Sequence, residues 1–303
     1  MAMNLQKHLA GSHIRYFNRT LSRGDDLKEA GGIPANSVKD VVDESDVVFI
    51  SLSDDAALNA TIDAALQGNL QGKIIVDTST VHPNTSAAVD ARIAERGGRF
   101  IAAPVFGASP VAAAGKLLWI VAGPDDAFQT ISPFIEGVMG RAVIRVGEDV
   151  RKASLMKTAG NFLTAGMMEL VAEAHTLVEK TGLGSEALES LIEQQYGPLT
   201  LSMSQRLTTG AYMPAPGQRP WSDVKLALKD VGHGLSCAEE AGVKLEVGEV
   251  ALRHLKEADR YGDELGRGMD SSSLYGVIRT ESGLPFETEV VTKRDADQEM
   301  KKP

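Results

Sequence analysis

Between His13 and Val146 the chain repeats one pattern, a short apolar run followed by a stretch with helical periodicity. Asp46–Ser53 and Lys73–Thr78 are almost uninterrupted apolar runs, and His13–Asn18, Arg99–Val105, Leu117–Ala122 and Arg141–Val146 read as further strands. Asp25–Ala30, Ser37–Glu44, Ala56–Leu66, Thr85–Arg96 and Asp125–Val138 read as the helices between them. A strand that is apolar on both faces must be covered on both faces, so the pattern predicts a doubly wound α/β domain with a parallel sheet over residues 1–146. After Gly147 the periodicity is helical, with no convincing strand through Asp259, which predicts an all-helical domain over 147–291. The polar stretch 292–303 reads as a disordered tail.

The remaining composition narrows the function classes. Lys plus Arg number 31 and Asp plus Glu 41, a formal charge of −10. That balance opposes the basic face needed to follow a phosphate backbone, so nucleic acid is not expected as a partner. No apolar run reaches the roughly 20 residues needed to span a bilayer, so no membrane partner is expected either. The single cysteine, Cys237, excludes an internal disulfide and a multi-cysteine zinc site, and points to a reducing compartment. It lies four residues after His233, within reach on a helix, but nothing nearby supports a nucleophile and a bystander role is expected. The six histidines lack H-x-x-x-H spacing for a metal, and His175 is read as structural. From Met1 to Gly24 there are four basic residues and no acidic one. Such a segment can be a transit peptide, but it is also accounted for as helix, strand and turn, so the expected location is the cytoplasm, with the mitochondrion as the alternative.

The stretch from Gly147 onward holds the chemistry. Lys157 and Asn161 sit four residues apart in an otherwise apolar helix, and Ser154 and Thr164 extend the same row. In the plain reading Lys157 carries its ammonium to water along a buried stem. In the functional reading Glu169, Glu173 and Lys180 already occupy the solvent face, so Lys157 lines a cleft, expected between the two domains. Partial desolvation would bring such an amine toward the working pH, where it gives or takes a proton at a substrate oxygen held by the amide one turn away.

A dinucleotide site in a doubly wound domain uses a G-x-G-x-x-G turn after the first strand, and this sequence has none. Met1–Leu9 reads as the end of the helix that would follow such a turn. The next strand ends in Asn18-Arg19-Thr20, where an NAD site usually carries an acidic residue for the ribose hydroxyls. An arginine there suits a 2′-phosphate, which favours NADP over NAD.

Taken in order, Met1–Leu5, Asn18–Thr20, Asp77-Thr78-Ser79-Thr80-Val81-His82-Pro83, Ala103-Pro104-Val105, Lys157 with Asn161, and Lys229-Asp230 resemble the motifs of the β-hydroxyacid dehydrogenase family. This family, in the 6-phosphogluconate dehydrogenase superfamily, includes 3-hydroxyisobutyrate dehydrogenases and glyoxylate or tartronate semialdehyde reductases. The likeness runs from Met1 to about Phe286. It implies a Rossmann-type domain followed by a helical one, a small-molecule substrate, and a homodimer or homotetramer. Lys157 would protonate the carbonyl oxygen during reduction, with Asn161 orienting the substrate. Ser79 and Thr80 would lie along the nicotinamide, and Lys229 would close over the cofactor. Asn18, Arg19, Thr20, Arg23 and Leu52 complete the expected cofactor contacts. Ser79, Phe106, Gly107 and Ala108 are the expected substrate contacts. Hydride transfer of this kind needs no metal.

Three departures accompany the likeness. Where the family has S-G-G against the substrate carboxylate, this chain has Phe106-Gly107-Ala108, which removes a hydroxyl and adds bulk. Ala153 replaces a glycine four residues before the lysine, and Arg151 adds a nearby charge. The first strand and glycine loop are missing, so the likeness places about 15 to 25 further residues upstream of Met1. Two rival readings remain: a catalytically silent scaffold with the helical part used for dimerisation, and an imine reductase, which shares the architecture but usually lacks the lysine.

Overall fold

A computed structural model describes residues 1–9 and 11–300 and divides the chain into two compact units, Met1–Thr158 and Ala159 onward. In the first unit the elements run α1 (Ala2–His8), β1 (Arg15–Tyr16), α2 (Asp25–Glu29), β2 (Ile33–Pro34), α3 (Val38–Asp43), β3 (Val47–Ile50), α4 (Asp55–Ala65), β4 (Ile74–Asp77) and α5 (Pro83–Ala94). They continue with β5 (Arg99–Ala102), β6 (Val105–Phe106), α6 (Ser109–Ala113), β7 (Leu117–Val121), α7 (Asp125–Ile131) and β8 (Gly140–Arg145). Helix starts follow the local chemistry. Ser37 and Asp54 accept the backbone N–H groups of Asp40 and Ala57 as N-caps of α3 and α4, and Pro83 supplies the fixed first turn of α5.

The strands form parallel ladders β1–β2, β3–β4–β5 and β7–β8. Reciprocal bonds between Ala102 and Ala122 link the ends of β5 and β7. Among the described residues the one antiparallel strand pair is β6 with β7. Residues 99–105 do not run as one strand: the chain breaks after Ala102, and Val105 and Phe106 pair antiparallel with Trp119 and Leu118. Proline at 104 is the physical reason, because it has no N–H to continue a ladder. All four residues of β4 are buried, as a strand covered on both faces requires. One apolar cluster packs α4 and α5 on this sheet and takes in Val150 and Ala153, while the other gathers Trp119, Ile131 and Ile135 with α7.

The division into compact units falls after Thr158, within a helix that starts just past Gly147. Helix α8 (Val150–Thr181) is continuous, and its first turns belong to the first unit because Val150 and Ala153 are buried in that core. The second unit is helical: the rest of α8, then α9 (Ser185–Thr208), α10 (Val224–Glu240), α11 (Glu246–Glu264), α12 (Leu274–Glu281) and α13 (Glu289–Met300). Helix α9 breaks at Gly197 (φ 79°) before Pro198. Two sequence expectations are corrected here. Glu169 does not face solvent; it is 2% exposed and bonds His254 of α11. The stretch 292–300 is not a disordered tail but part of α13, seated by fully buried Val291 and by Arg294, which donates to the carbonyls of Gly210 and Met213. Residues 301–303 lie outside the described residues. Among the described residues no helix is long and apolar enough to cross a membrane.

Candidate active site

Lys157 lies on the third turn of α8 with Val150, Ala153 and Ser154 buried on the turns before it. Ser154 Oγ is 2.7 Å from Ser86 Oγ of α5, a buried hydroxyl pair that joins α8 to the helix following the 77–83 loop. Lys157 is itself only 8% exposed. Its Nζ sits 3.9 Å from the centroid of the Phe106 ring, within the range of a cation–π contact. The stem-to-water reading of Lys157 is therefore set aside, because the ammonium lies against an aromatic face.

Phe106 ends β6, and the residues after it share its loop. Gly107 takes φ +131°, and a Cβ there would meet Leu117 and Val111 side chains at 2.8 Å, so glycine is required on both conformational and steric grounds. Ala108 precedes α6.

The loop after β4 is built from its own hydroxyl groups. Thr78 Oγ1 donates to the Ile50 carbonyl at 2.7 Å, and Ser79 Oγ accepts the Leu52 N–H at 2.9 Å. Asp77 Oδ1 accepts the Ser79 N–H at 3.0 Å, closing a turn. The hydroxyls of this D-x-S-T sequence thus extend the β3–β4 ladder past the strand ends. Ser79 and Leu52 are brought together, and half-buried Thr80 follows them at the C-terminal end of the parallel strands, where ligands meet a doubly wound sheet.

Asn18, Arg19, Thr20 and Arg23 are all exposed at the C-terminal end of β1. Asn18 Oδ1 accepts the Thr20 N–H at 2.9 Å and shapes the turn, and Arg23 lies in the 3-10 turn Leu21–Gly24. The exposed guanidinium groups suit an anionic ligand group such as a phosphate. These residues could hold the phosphate-bearing ribose of a dinucleotide.

In the second unit Asn161 Nδ2 donates to Asp230 Oδ2 at 2.6 Å, and Lys229 Nζ lies 2.8 Å from Asp230 Oδ1. Asp230 was visible in the sequence only as the second half of the late Lys-Asp pair. Its carboxylate orients the amide of Asn161 and holds the Lys229 ammonium at once. Arg151, whose effect the sequence left open, forms a bidentate pair with Asp149 at 3.0 Å. The guanidinium holds the Asp149 carboxyl below its usual range. His175 is buried between Ser204 and Ser185, and burial lowers its pKa. That is the structural role expected of it.

Residues 1–147 match the NAD binding domain of 6-phosphogluconate dehydrogenase, and residues 152–278 match the NAD-binding domain of NADP-dependent 3-hydroxyisobutyrate dehydrogenase. The chain is 32% identical over 255 residues to the NADH-dependent oxidoreductase ucdB of Aspergillus ustus, covering 84% of this chain and 85% of that protein. It is 30% identical over 285 residues to glyoxylate/succinic semialdehyde reductase 1 of Arabidopsis thaliana, covering 92% and 94%. A solved 3-hydroxyisobutyrate dehydrogenase from Salmonella typhimurium shares the fold, with a TM-score of 0.78 at 19% identity over 91% of this chain and 95% of that one. By its matches over both halves and its relatives over most of their length, the chain is a member of the β-hydroxyacid dehydrogenase family and an NAD(P)-binding oxidoreductase.

Proposed function

We propose that the protein transfers a hydride between NADP and a small β-hydroxyacid or its semialdehyde or keto acid, with Lys157 as general acid and base. The observation that carries this reading is a buried lysine followed one helical turn later by an amide held by a carboxylate. A nicotinamide cofactor, when bound, supplies or accepts the hydride. Lys157 donates its proton to the carbonyl oxygen as negative charge develops there, and takes it back in the oxidation direction. With one N–H committed to Asp230, Asn161 turns its second N–H and its carbonyl to the substrate. Ser79, Phe106, Gly107 and Ala108 line the substrate. Asn18, Arg19, Thr20, Arg23, Leu52, Thr80 and Lys229 serve the cofactor.

The exposed Arg19 and Arg23 support NADP through its 2′-phosphate. The name of the Aspergillus ustus relative supports the second reading, NADH. Fluorescence titration with NADPH and NADH decides between them. Arg19→Ala with Arg23→Ala should weaken NADPH about tenfold or more and leave NADH unchanged, since each lost charged contact contributes about 1.5–3 kcal/mol. Tighter binding of NADH than of NADPH by the unaltered chain would instead support NAD. Lys157→Ala tests the chemistry. Loss of carbonyl reduction with cofactor binding retained supports the assignment, whereas unchanged turnover on an imine would sink it and favour an imine reductase-like activity. Failure to bind either cofactor would leave the scaffold reading.

The proposed assembly is a homodimer, alone or as half of a tetramer. Leu163, Leu170 and Leu177 recur every seven residues along α8 and are 62%, 62% and 63% exposed. A seven-residue apolar row on a long helix suits a partner helix from a second copy. Leu170→Glu should shift the mass measured by light scattering toward the monomer.

A further inference from the structure

The Phe106 ring and the Lys157 ammonium form one unit with a consequence for the substrate. The face of an aromatic ring carries partial negative charge, so it attracts the ammonium and repels an anion. Phe106 is fixed there. Its antiparallel pairing with Leu118 sets the ring toward the core that contains Ala153, while neighbouring Val105 packs toward Trp119. Gly107 follows at a positive φ, where an added Cβ would meet the Leu117 and Val111 side chains, so the turn after the ring is specific to glycine. Beyond the ring the loop offers a glycine and an alanine. Residues 106–108 therefore present no side-chain hydroxyl, amide or cation.

A carboxylate placed against this loop would lose water without gaining a side-chain donor, and would lie on the repulsive face of the ring. It could reach the Lys157 ammonium only in competition with the reacting oxygen. An alkyl or aryl group in the same place would gain contact area with the ring instead.

We propose that Phe106 is a specificity-determining residue that selects carbonyl substrates carrying an apolar substituent, rather than a carboxylate, on the side of the 106–108 loop. This rests on the hydride transfer and the Lys157 role proposed above, and replaces the β-hydroxyacid as the substrate class. Within that reading the substrate class shifts from short carboxylate-terminated semialdehydes toward aldehydes and ketones with branched or aromatic substituents, and their alcohols.

The test compares kcat/KM for two aldehydes of nearly the same shape, succinic semialdehyde and isocaproaldehyde, in which an isopropyl group stands where the carboxylate is. The unaltered chain should favour isocaproaldehyde by about tenfold or more, the range over which one pocket group discriminates. Phe106→Ser should lower that ratio about tenfold or more, and Phe106→Leu, which stays apolar and keeps the packing, should preserve it. Circular dichroism confirms that each variant is folded. A preference of the unaltered chain for succinic semialdehyde, or a ratio that Phe106→Ser leaves unchanged, overturns the assignment while leaving hydride transfer intact. If neither aldehyde is turned over although NADPH binds, the hydride-transfer reading itself fails and this refinement with it.

Discussion

Replacing Glu169 by glutamine isolates a buried charge pair in the second unit. Glu169 and His254 are 2% and 3% exposed, so solvent screens their contact little. His254 Nδ1 lies 2.5 Å from Glu169 Oε1, and Glu281 Oε2 lies 3.3 Å from Nε2. The hydrogen bond to Glu169 raises the His254 pKa above the usual imidazole range, against a burial effect of opposite sign. Because the folded value exceeds the unfolded one near 6.5, the folded state binds the proton more tightly. The stability this contributes is fully present below the unfolded value and is lost as pH rises through the folded one. Glutamine keeps the size and one acceptor but removes the charge. A hydrogen bond to a charged group contributes about 1.5–3 kcal/mol, against about 0.5–1.5 kcal/mol for a neutral one. The substitution should therefore cost about 1–2 kcal/mol at about pH 6, and progressively less at higher pH. For a protein region of this size that is a fall in Tm of roughly 2–8 °C. Thermal melts of both proteins, followed by circular dichroism across a pH series, measure the gap. Parallel curves at all pH values, or a gap that widens as pH rises, would refute the reasoning.

Asp230→Ala releases the Asn161 amide, and kcat/KM should fall about 10- to 100-fold, the scale of a lost charge-assisted hydrogen bond. Asp230→Asn should recover part of that loss, and an Asn161→Ala, Asp230→Ala double-mutant cycle should show the two effects to be non-additive. Gly262→Ala drives a Cβ into Met269 Cγ and to 2.7 Å from the Arg267 carbonyl oxygen. The overpacking should cost about 1–3 kcal/mol, read as a lower urea midpoint at unchanged m-value. Arg294→Ala removes donors to Gly210 and Met213 at 3.1 and 2.8 Å. Limited proteolysis should then cut within residues 289–300 sooner than in the unaltered chain.

The parts of the fold legible in the sequence were those fixed by periodicity and local chemistry. The apolar runs at Val47–Ile50 and Ile74–Asp77 could serve only as strands covered on both faces, and the helical periodicity of Ser37–Glu44 and Ala56–Leu66 placed α3 and α4 within a residue of their ends. The row from Ser154 through Lys157 to Asn161 was legible because helical spacing alone puts these residues on one face. What was not legible depended on distant partners. Nothing local in Glu169 announces that a histidine 85 positions later will bury it. The polar composition of 292–300 hid a helix whose anchors are backbone carbonyls of residues 210 and 213. Likewise Phe106 announced bulk from its identity, but its place over the Lys157 ammonium follows from the antiparallel turn-back of β6 after Pro104. Asp230 stood in the sequence only as the second half of the Lys229-Asp230 pair, and its hold on the Asn161 amide depends on a partner 69 residues away.

The loop after β4 is held by Thr78 and Ser79 through bonds to Ile50 and Leu52 and by the Asp77 turn, all made within the protein. Its shape is therefore paid for during folding, and a ligand arriving there need not first order a mobile segment. Association at that edge should be governed by diffusion and charge, with little dependence on conformational rearrangement. The same bonds tie the loop to the strand ends: loosening the ends of β3 and β4 would undo its shape before the sheet itself gave way.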